Sequence, residues 1–246
     1  MQLYFIRHGQ SQNNANWSNP EYKESPDPAL TNLGIEQACH VSEFLKETQE
    51  ISKPKDWNIQ NRYGFGLTHI YTSLMERAVH TAAPTVRALG VPFAAWQEIH
   101  ESGGIFGRDG NEKHVGLPGK SRAYFEQHFP ELELPEQLNG SGWWNNRPFE
   151  TEEECHGRTE QFLADLLARH GDREGQPEER IAIFSHGGFF VHLMFAILKT
   201  PWRQAAHGKS WFVLNNCSIS RINFFKDGID IAYLNRTDHL PDHLIT

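Results

Sequence analysis

The sequence predicts an α/β fold, a three-layer α/β/α sandwich around a mostly parallel central sheet. Three observations carry that expectation. Short apolar runs of strand length alternate with segments whose apolar residues recur every three to four positions. The chain closes on two strand-like runs joined by Lys226-Asp227-Gly228, a hairpin signal that adds an antiparallel piece. A length of 246 residues suffices for one core without staples, and no linker composition divides it.

In order along the chain, Leu3 to Ile6 is a short buried strand that ends at Arg7-His8-Gly9. Gln10 to Pro28 reads as a polar, proline-bearing loop. From Thr31 the pattern is helical, with Leu33, Gln37-Ala38, Val41 and Phe44-Leu45 in period and Thr31 or Asn32 as the cap. His69 to Tyr71 is a second strand, Leu74 to Leu89 a second helix closed by Gly90, and Val91 to Trp96 a third strand. Glu153 to His170 is helical, with Phe162, Leu163, Leu166 and Leu167 on one stripe. Ile181 to Phe184 is a buried strand and Gly188 to Leu198 the helix behind it. Ser218 to Phe225 and Ile229 to Leu234 form the closing hairpin. Residues 103–149 show no sustained period, are rich in Gly and Pro, and offer only a weak helix at Ser121 to His128. That is too long for a plain connection. It is expected to be an insertion covering a site within a single domain spanning 1–246, or else a flexible excursion.

Composition narrows the function classes. Hydrophobic residues are 38% and charged residues 22%, a balance that excludes wholesale disorder. Lys plus Arg number 23 against 31 Asp plus Glu, a formal net charge of −8. This excludes a global electrostatic grip on nucleic acid or an anionic membrane, while leaving room for a local basic site that holds a small anion. Cys39, Cys155 and Cys217 are widely spaced and form no CxxC. They point to a reducing compartment, the cytoplasm, and to small core residues rather than a disulfide or zinc framework. The apolar run before Arg7 is too short for a signal peptide, and Ile181 to Leu198 is interrupted by Ser185, His186, Gly187, Gly188 and His192, against a spanning helix. No feature of the sequence sets an oligomeric state.

Two buried strands each end in His-Gly: Ile6-Arg7-His8-Gly9 and Phe184-Ser185-His186-Gly187. Ligands of open α/β sheets bind at the carboxyl ends of strands, which would bring both histidines to one crevice. Glycine after each histidine lets backbone approach a ligand and leaves amide donors near a helix start, which suits an anion. Taken singly, each histidine also reads as a satisfied polar residue at a strand end. Arg77, beside Glu76, also reads as an exposed surface charge, and Asn14 as turn chemistry among Asn13, Asn16 and Asn19.

The stretch Leu3 to Asn14, LYFIRHGQSQNN, resembles the opening signature of the histidine phosphatase superfamily, the phosphoglycerate mutase-like proteins. Three further segments resemble it in the same order: Pro28-Ala29-Leu30-Thr31-Asn32-Leu33-Gly34 with Gln37-Ala38; Tyr71-Thr72-Ser73 with Arg77-Ala78 and Thr81-Ala82; and Phe184-Ser185-His186-Gly187. The resemblance implies His8 as a nucleophile that attacks phosphorus and becomes a phosphohistidine, which water then hydrolyses. Neutral imidazole is the attacking form and is available near neutrality. Arg7, Arg77 and His186 would surround the phosphoryl oxygens, with Asn14, Ser11 and the Gly187 amide as further substrate-binding groups. Arginine suits that task through its planar, permanently charged fork. Neither metal nor cofactor is implied, and the partner is a small phosphorylated substrate.

A leaving alkoxide needs a proton, hence a carboxyl group opposite the nucleophile. The family places a glutamate after the strand that follows its second arginine. Ile99-His100-Glu101 before Gly103-Gly104 resembles that, making Glu101 the expected acid, with Glu98 as the competitor. Two other patterns fail. Gly119-Lys120-Ser121 has His114 where a P-loop needs its first glycine, and His100-Glu101 has Gly104 where HExxH needs a second histidine.

Gln10 stands where mutases of the family carry Glu, and the longer mutase signature around the acid is absent, since the chain reads Glu101-Ser102-Gly103-Gly104-Ile105. The expected activity is therefore that of a histidine acid phosphatase-like phosphomonoester hydrolase. A phosphoglycerate mutase-type transferase is the first alternative and a catalytically inactive phosphate-binding domain the second. Residues 103–149 would cap the crevice, offering Arg108, Lys113, Lys120, Arg122 and Arg147 for further anionic groups. Their aromatics, Phe106, Tyr124, Phe125, Trp143 and Trp144, either stack on a substrate ring or form a small core of their own.

Overall fold

The computed structural model describes residues 1–47, 58–201 and 211–246. In chain order the elements are β1 (Gln2–Arg7), α1 (Gln12–Asn16), α2 (Asn32–Lys46), β2 (His69–Thr72), α3 (Glu76–Leu89), β3 (Phe93–Ala95), β4 (Phe106–Arg108), β5 (His114–Gly116), α4 (Arg122–His128), α5 (Glu152–His170), β6 (Arg180–Ser185), α6 (Gly187–Ile197), β7 (Ile219–Phe225) and β8 (Gly228–Arg236). Short 3-10 turns follow β3, at Gln97–Ile99, and β8, at Asp242–Leu244.

Six strands form one sheet in the order β3-β2-β6-β1-β7-β8. The first four run parallel, with Phe5 opposite Ile183 and Arg7 opposite Ser185, and β7 and β8 add the antiparallel piece. Side chains of β1 alternate between two cores, as the pleat requires. Tyr4 and Ile6 pack with Val41 and Leu45 of α2 and Val79 of α3, while Leu3 and Phe5 pack with Phe162 and Leu166 of α5 and Phe189 and Phe190 of α6. Both faces are covered, which is why β1 and β6 each carry an unbroken apolar run, Leu3 to Ile6 and Ile181 to Phe184. The result is the expected α/β/α sandwich. Parallel direction also places the carboxyl ends of β1, β2 and β6 along one edge, where Arg7, Ser73 and His186 emerge.

Helix boundaries follow their caps. Thr31, not Asn32, caps α2, its hydroxyl accepting from the Gly34 amide at 3.0 Å. Thr151 and Glu154 make a reciprocal capping box that starts α5. The polar stretch read as loop contains α1, whose five residues are too few to show a period; Ser11 and Asn14 close a capping box there. Residues 103–149 hold a small antiparallel ribbon, β4–β5, besides α4. Three-residue strands carry no alternation to read. The ribbon's turn is set by Asp109, whose Oδ1 accepts from the amides of Asn111 and Lys113 at 2.8 and 3.0 Å. Phe125, Phe129, Leu132, Leu138, Trp143 and Trp144 of this segment join the core on the α2–α3 face, so it is packed rather than a loose excursion. Of the cysteines read as core residues, Cys155 and Cys217 are buried, but Cys39 is exposed, on the solvent side of α2. No helix among the described residues is long and apolar enough to cross a membrane.

Two glycines fix how α2 meets the loop after β1. A Cβ on Gly9 would lie 2.5 Å from the Gly34 carbonyl oxygen, and one on Gly34 would overlap the Gln10 carbonyl. The contacts are backbone on backbone and have no flexible atom to give way. Gly34→Ala should therefore cost about 2 kcal/mol or more of unfolding free energy, read as a lowered denaturant midpoint at unchanged slope.

Candidate active site

His8 follows the last residue of β1, and its own backbone is held at both amide and carbonyl. Its amide donates to the Ser185 carbonyl at 3.0 Å, and its carbonyl accepts from Asn216 Nδ2 at 2.9 Å. The ring Nδ1 lies 2.7 Å from the Gly9 carbonyl, which only accepts, so Nδ1 carries the proton and Nε2 keeps its lone pair. Arg77 Nε donates to that lone pair at 3.1 Å. Arg77 projects from the first turn of α3 and is buried, with Nη1 3.9 Å from Asp27 Oδ1. Arg7 donates from Nη1 to the Leu214 carbonyl, while its Nε is buried without a partner. His186 caps α6; its ring centroid lies 5.1 Å from that of His8. Its Nε2 is 2.9 Å from Ser73 Oγ, and its Nδ1 is buried without a partner. Buried polar nitrogens are nearly always paired. Two orphaned ones, beside the Arg77 guanidinium, make a socket for an oxygen-rich anion.

Burial and then the Arg77 charge hold His8 and His186 well below the ordinary histidine range, and burial with Arg158 does the same for His100. Burial also lowers Arg7 and Arg77, against the opposing pull of Glu101 on Arg7 and of Asp27 on Arg77. The three histidines are neutral in the folded chain but take up protons near pH 6.5 when unfolded. Below about pH 6.5 the unfolded state therefore binds more protons, and stability falls as pH drops through that window toward the folded values. Asp27, raised to about 6 by burial, works in the opposite sense from there down to its unfolded value, one group against three. The melting temperature should decline between about pH 7 and pH 5.

Glu101 sits at the amino end of α6. Its Oε1 accepts from the Phe189 and Ser102 amides at 3.0 and 2.9 Å, and its Oε2 from the Gly188 amide at 3.3 Å. Free amides at a helix start are natural partners for a carboxylate. A Cβ on Gly188 would overlap Glu101 Oε1, so only glycine admits the carboxylate this close. Beneath it, His100 Nδ1 meets the Glu101 carbonyl at 2.9 Å, and Arg158 is held by Glu150 at 2.6 and 2.7 Å. Glu98 is exposed on the 3-10 turn and does not line the cleft.

Arg7, His8, Arg77, Glu101, Ser11 and Asn14 line one cleft of about 980 Å³. Asn14 Oδ1 accepts from the Ser11 amide, the Ser11 hydroxyl and Asn216 Nδ2 at 3.2, 3.0 and 3.2 Å. That fixes the amide orientation and leaves Nδ2 as the donating end. Ser11 spends its hydroxyl on Asn14, so it orients a neighbour rather than offering a donor. The Gly187 amide, at the first position of α6, takes no acceptor among the described residues.

Of the basic residues expected over the cleft, Arg108 lines it, beside Lys23 from the opposite loop and the acids Glu24, Asp109 and Glu112. Lys120 pairs with Glu76 at 3.0 Å, Arg122 donates to the Leu138 and Pro135 carbonyls, and Arg147 lies over the Trp144 ring. Among the aromatics Phe106 faces the cleft, whereas Phe125, Trp143 and Trp144 are core. Two site residues had no sequence signal of their own, Asn216 and Asp27, and Ser73, the partner of His186, was seen only as part of a motif. Thr81, seen only as part of a motif, accepts from the Gly9 amide at 3.0 Å and donates to the Arg77 carbonyl at 2.6 Å, tying the two cationic segments together.

The model of the histidine phosphatase superfamily (branch 1) matches residues 3–54 and 60–237. The chain belongs to the histidine phosphatase superfamily. Among curated proteins no sequence matches it. Solved structures with the same superfamily fold include a mycobacterial glucosyl-3-phosphoglycerate phosphatase complexed with VO3, at 18% identity and a TM-score of 0.59, covering 96% of this chain and 99% of that one. An Entamoeba histolytica phosphoserine phosphatase variant in complex with phosphoserine is 21% identical at a TM-score of 0.57, covering 98% and 99%. The α-ribazole phosphatase from Shigella flexneri is 22% identical at 0.58, covering 96% of each chain. At these identities the likeness speaks for the fold of this histidine phosphatase superfamily member.

Proposed function

We propose that this chain hydrolyses a phosphomonoester of a small metabolite through a phosphohistidine at His8, with no metal or cofactor in the reaction. The observation that carries the reading is the His8 Nε2 lone pair, presented beside two buried nitrogens that lack partners, Arg7 Nε and His186 Nδ1. An incoming phosphoryl group draws the Arg77 donor to its own oxygens and frees Nε2 for attack. As the Nε2–P bond forms and the P–O bond breaks, charge spreads over the phosphoryl oxygens, where Arg7, Arg77 and His186 are already placed. The Ser73 hydroxyl, donating to His186 Nε2, leaves Nδ1–H to face the phosphoryl group. The Nδ1–H bond to the Gly9 carbonyl supports the positive charge that develops on the His8 ring.

Glu101 gives its proton to the departing alkoxide and then takes one from the water that attacks phosphorus, whereupon the P–Nε2 bond breaks and phosphate leaves. Its Oε2 is the oxygen suited to carry the proton, since it accepts one long bond where Oε1 accepts two. Residues 103–149 act as a cap whose β4–β5 ribbon meets the leaving group. Hydrolysis rather than transfer to a second substrate is favoured by the rim. Glu24, Asp109 and Glu112 alternate there with Lys23 and Arg108, a poor setting for a bisphosphate. Phosphatases among the structural relatives, named for glucosyl-3-phosphoglycerate, phosphoserine and α-ribazole, support the substrate class.

The test is hydrolysis of p-nitrophenyl phosphate in excess EDTA. Turnover undiminished by the chelator is the expected result, and turnover abolished by it and restored by added metal would overturn the reading.

A further inference from the structure

At the opposite end of the sheet, three side chains from separate elements form a second cluster with ligand chemistry. His69 opens β2, His170 ends α5, and Glu179 immediately precedes β6. His69 stands in register with Ile181, which pairs with Leu3, five residues before His8. At about 3.3 Å per strand residue, the cluster is on the order of 15 Å from the nucleophile. One nitrogen of each imidazole and one Glu179 oxygen all lie within 4.8 Å of one another, and the two rings are 5.0 Å apart. His170 is buried.

The surrounding hydrogen bonds leave these groups able to act as ligands. Thr68 Oγ1 gives its single proton to the Arg180 carbonyl at 3.1 Å, so at 3.0 Å it can only accept from His69 Nδ1. That fixes the His69 tautomer with a lone pair on Nε2, the outer-shell arrangement that metal-binding histidines use. His170 meets the Glu179 carboxylate through Nδ1 and the Tyr71 hydroxyl through Nε2, at 2.9 Å for the latter. The proton between Nδ1 and the carboxylate is the one a cation would replace. It moves to Nε2, and the Tyr71 hydroxyl turns from donor to acceptor. No proton is lost, and Tyr71 becomes the outer-shell partner of His170.

We propose that His69, His170 and Glu179 bind one divalent transition-metal cation of the zinc class. Two imidazoles and a carboxylate are a borderline donor set suited to tetrahedral Zn²⁺, with water completing the fourth position. The bound ion ties the start of β2, the end of α5 and the lead into β6 together, a structural clamp remote from His8.

The experiment is calorimetric titration of the untagged, EDTA-stripped full chain with ZnCl₂, on wild type, His69→Ala and Glu179→Gln. Wild type should take up one equivalent saturably and gain melting temperature when loaded. Each variant should bind at least about tenfold more weakly and lose that gain, while keeping the wild-type circular dichroism spectrum and metal-free phosphatase rate. Absence of a saturable equivalent in wild type would overturn the proposal. So would an unchanged affinity in either variant, which would place the ion elsewhere.

Discussion

Replacing His8 by alanine should lower turnover of every phosphomonoester by about 10⁵-fold or more, the scale on which removing an attacking group acts. The substitution leaves the phosphoryl socket in place, because Arg7, Arg77 and His186 are held by Leu214, Asp27 and Ser73 rather than by the His8 ring alone. Binding of inorganic phosphate should therefore survive in His8→Ala while hydrolysis does not. The measurement is steady-state release of p-nitrophenolate alongside phosphate protection of the melting temperature. Folded His8→Ala protein with substantial turnover would assign the nucleophile elsewhere.

The second large effect separates substrates by leaving group. In Glu101→Gln, kcat/KM for an alkyl phosphate should fall by about 10²- to 10⁴-fold, the usual worth of a positioned acid. For p-nitrophenyl phosphate it should change by less than about tenfold. A nitrophenolate departs without a proton, and kcat/KM reports only the steps through its release. Loss of the base for the second step should then let the phosphoenzyme accumulate, giving a burst of nitrophenolate. Equal losses of kcat/KM on both substrates would remove Glu101 from the acid role. The selective loss appearing in Glu98→Gln instead would transfer that role to Glu98, a residue exposed on the far side of the 3-10 turn.

Much of the site is readable from where apolar runs stop. The apolar runs of β1 and β6 are buried on both faces, so their ends are sharp in sequence, and the polar residues that follow those runs, Arg7-His8 and Ser185-His186, are marked by that contrast. Arg77 has no such contrast. It lies in a helix whose pattern admits any polar residue, and only its surrounding motif distinguishes it. Glu101 and Glu98 differ by one step across a 3-10 turn, and it is the amides of α6, far away in sequence, that receive one and not the other.

Asn216 lies in a loop before β7 and reaches His8 and Asn14 across about 200 positions, a contact that no local pattern encodes. The β4–β5 ribbon and α1 escape for a different reason. Their three to five residues are shorter than the window over which a period of 2.0 or 3.6 can be recognised. Trp143 and Trp144 show the converse. The sequence leaves them open as stacking platforms or as a small core of the segment's own; they are 3% exposed and join the main core, and Phe106 lines the cleft.

The central claim is a covalent phosphohistidine at His8, and the most direct measurement is to trap it. Glu101→Gln mixed with p-nitrophenyl phosphate and quenched in alkali on the millisecond scale, then digested and sequenced by mass spectrometry, should carry one phosphoryl group on the peptide containing His8. The adduct should be stable to alkali and labile to acid. A phosphoryl group found on a serine, a carboxylate or His186, or a burst of nitrophenolate with no protein adduct at all, would contradict the account.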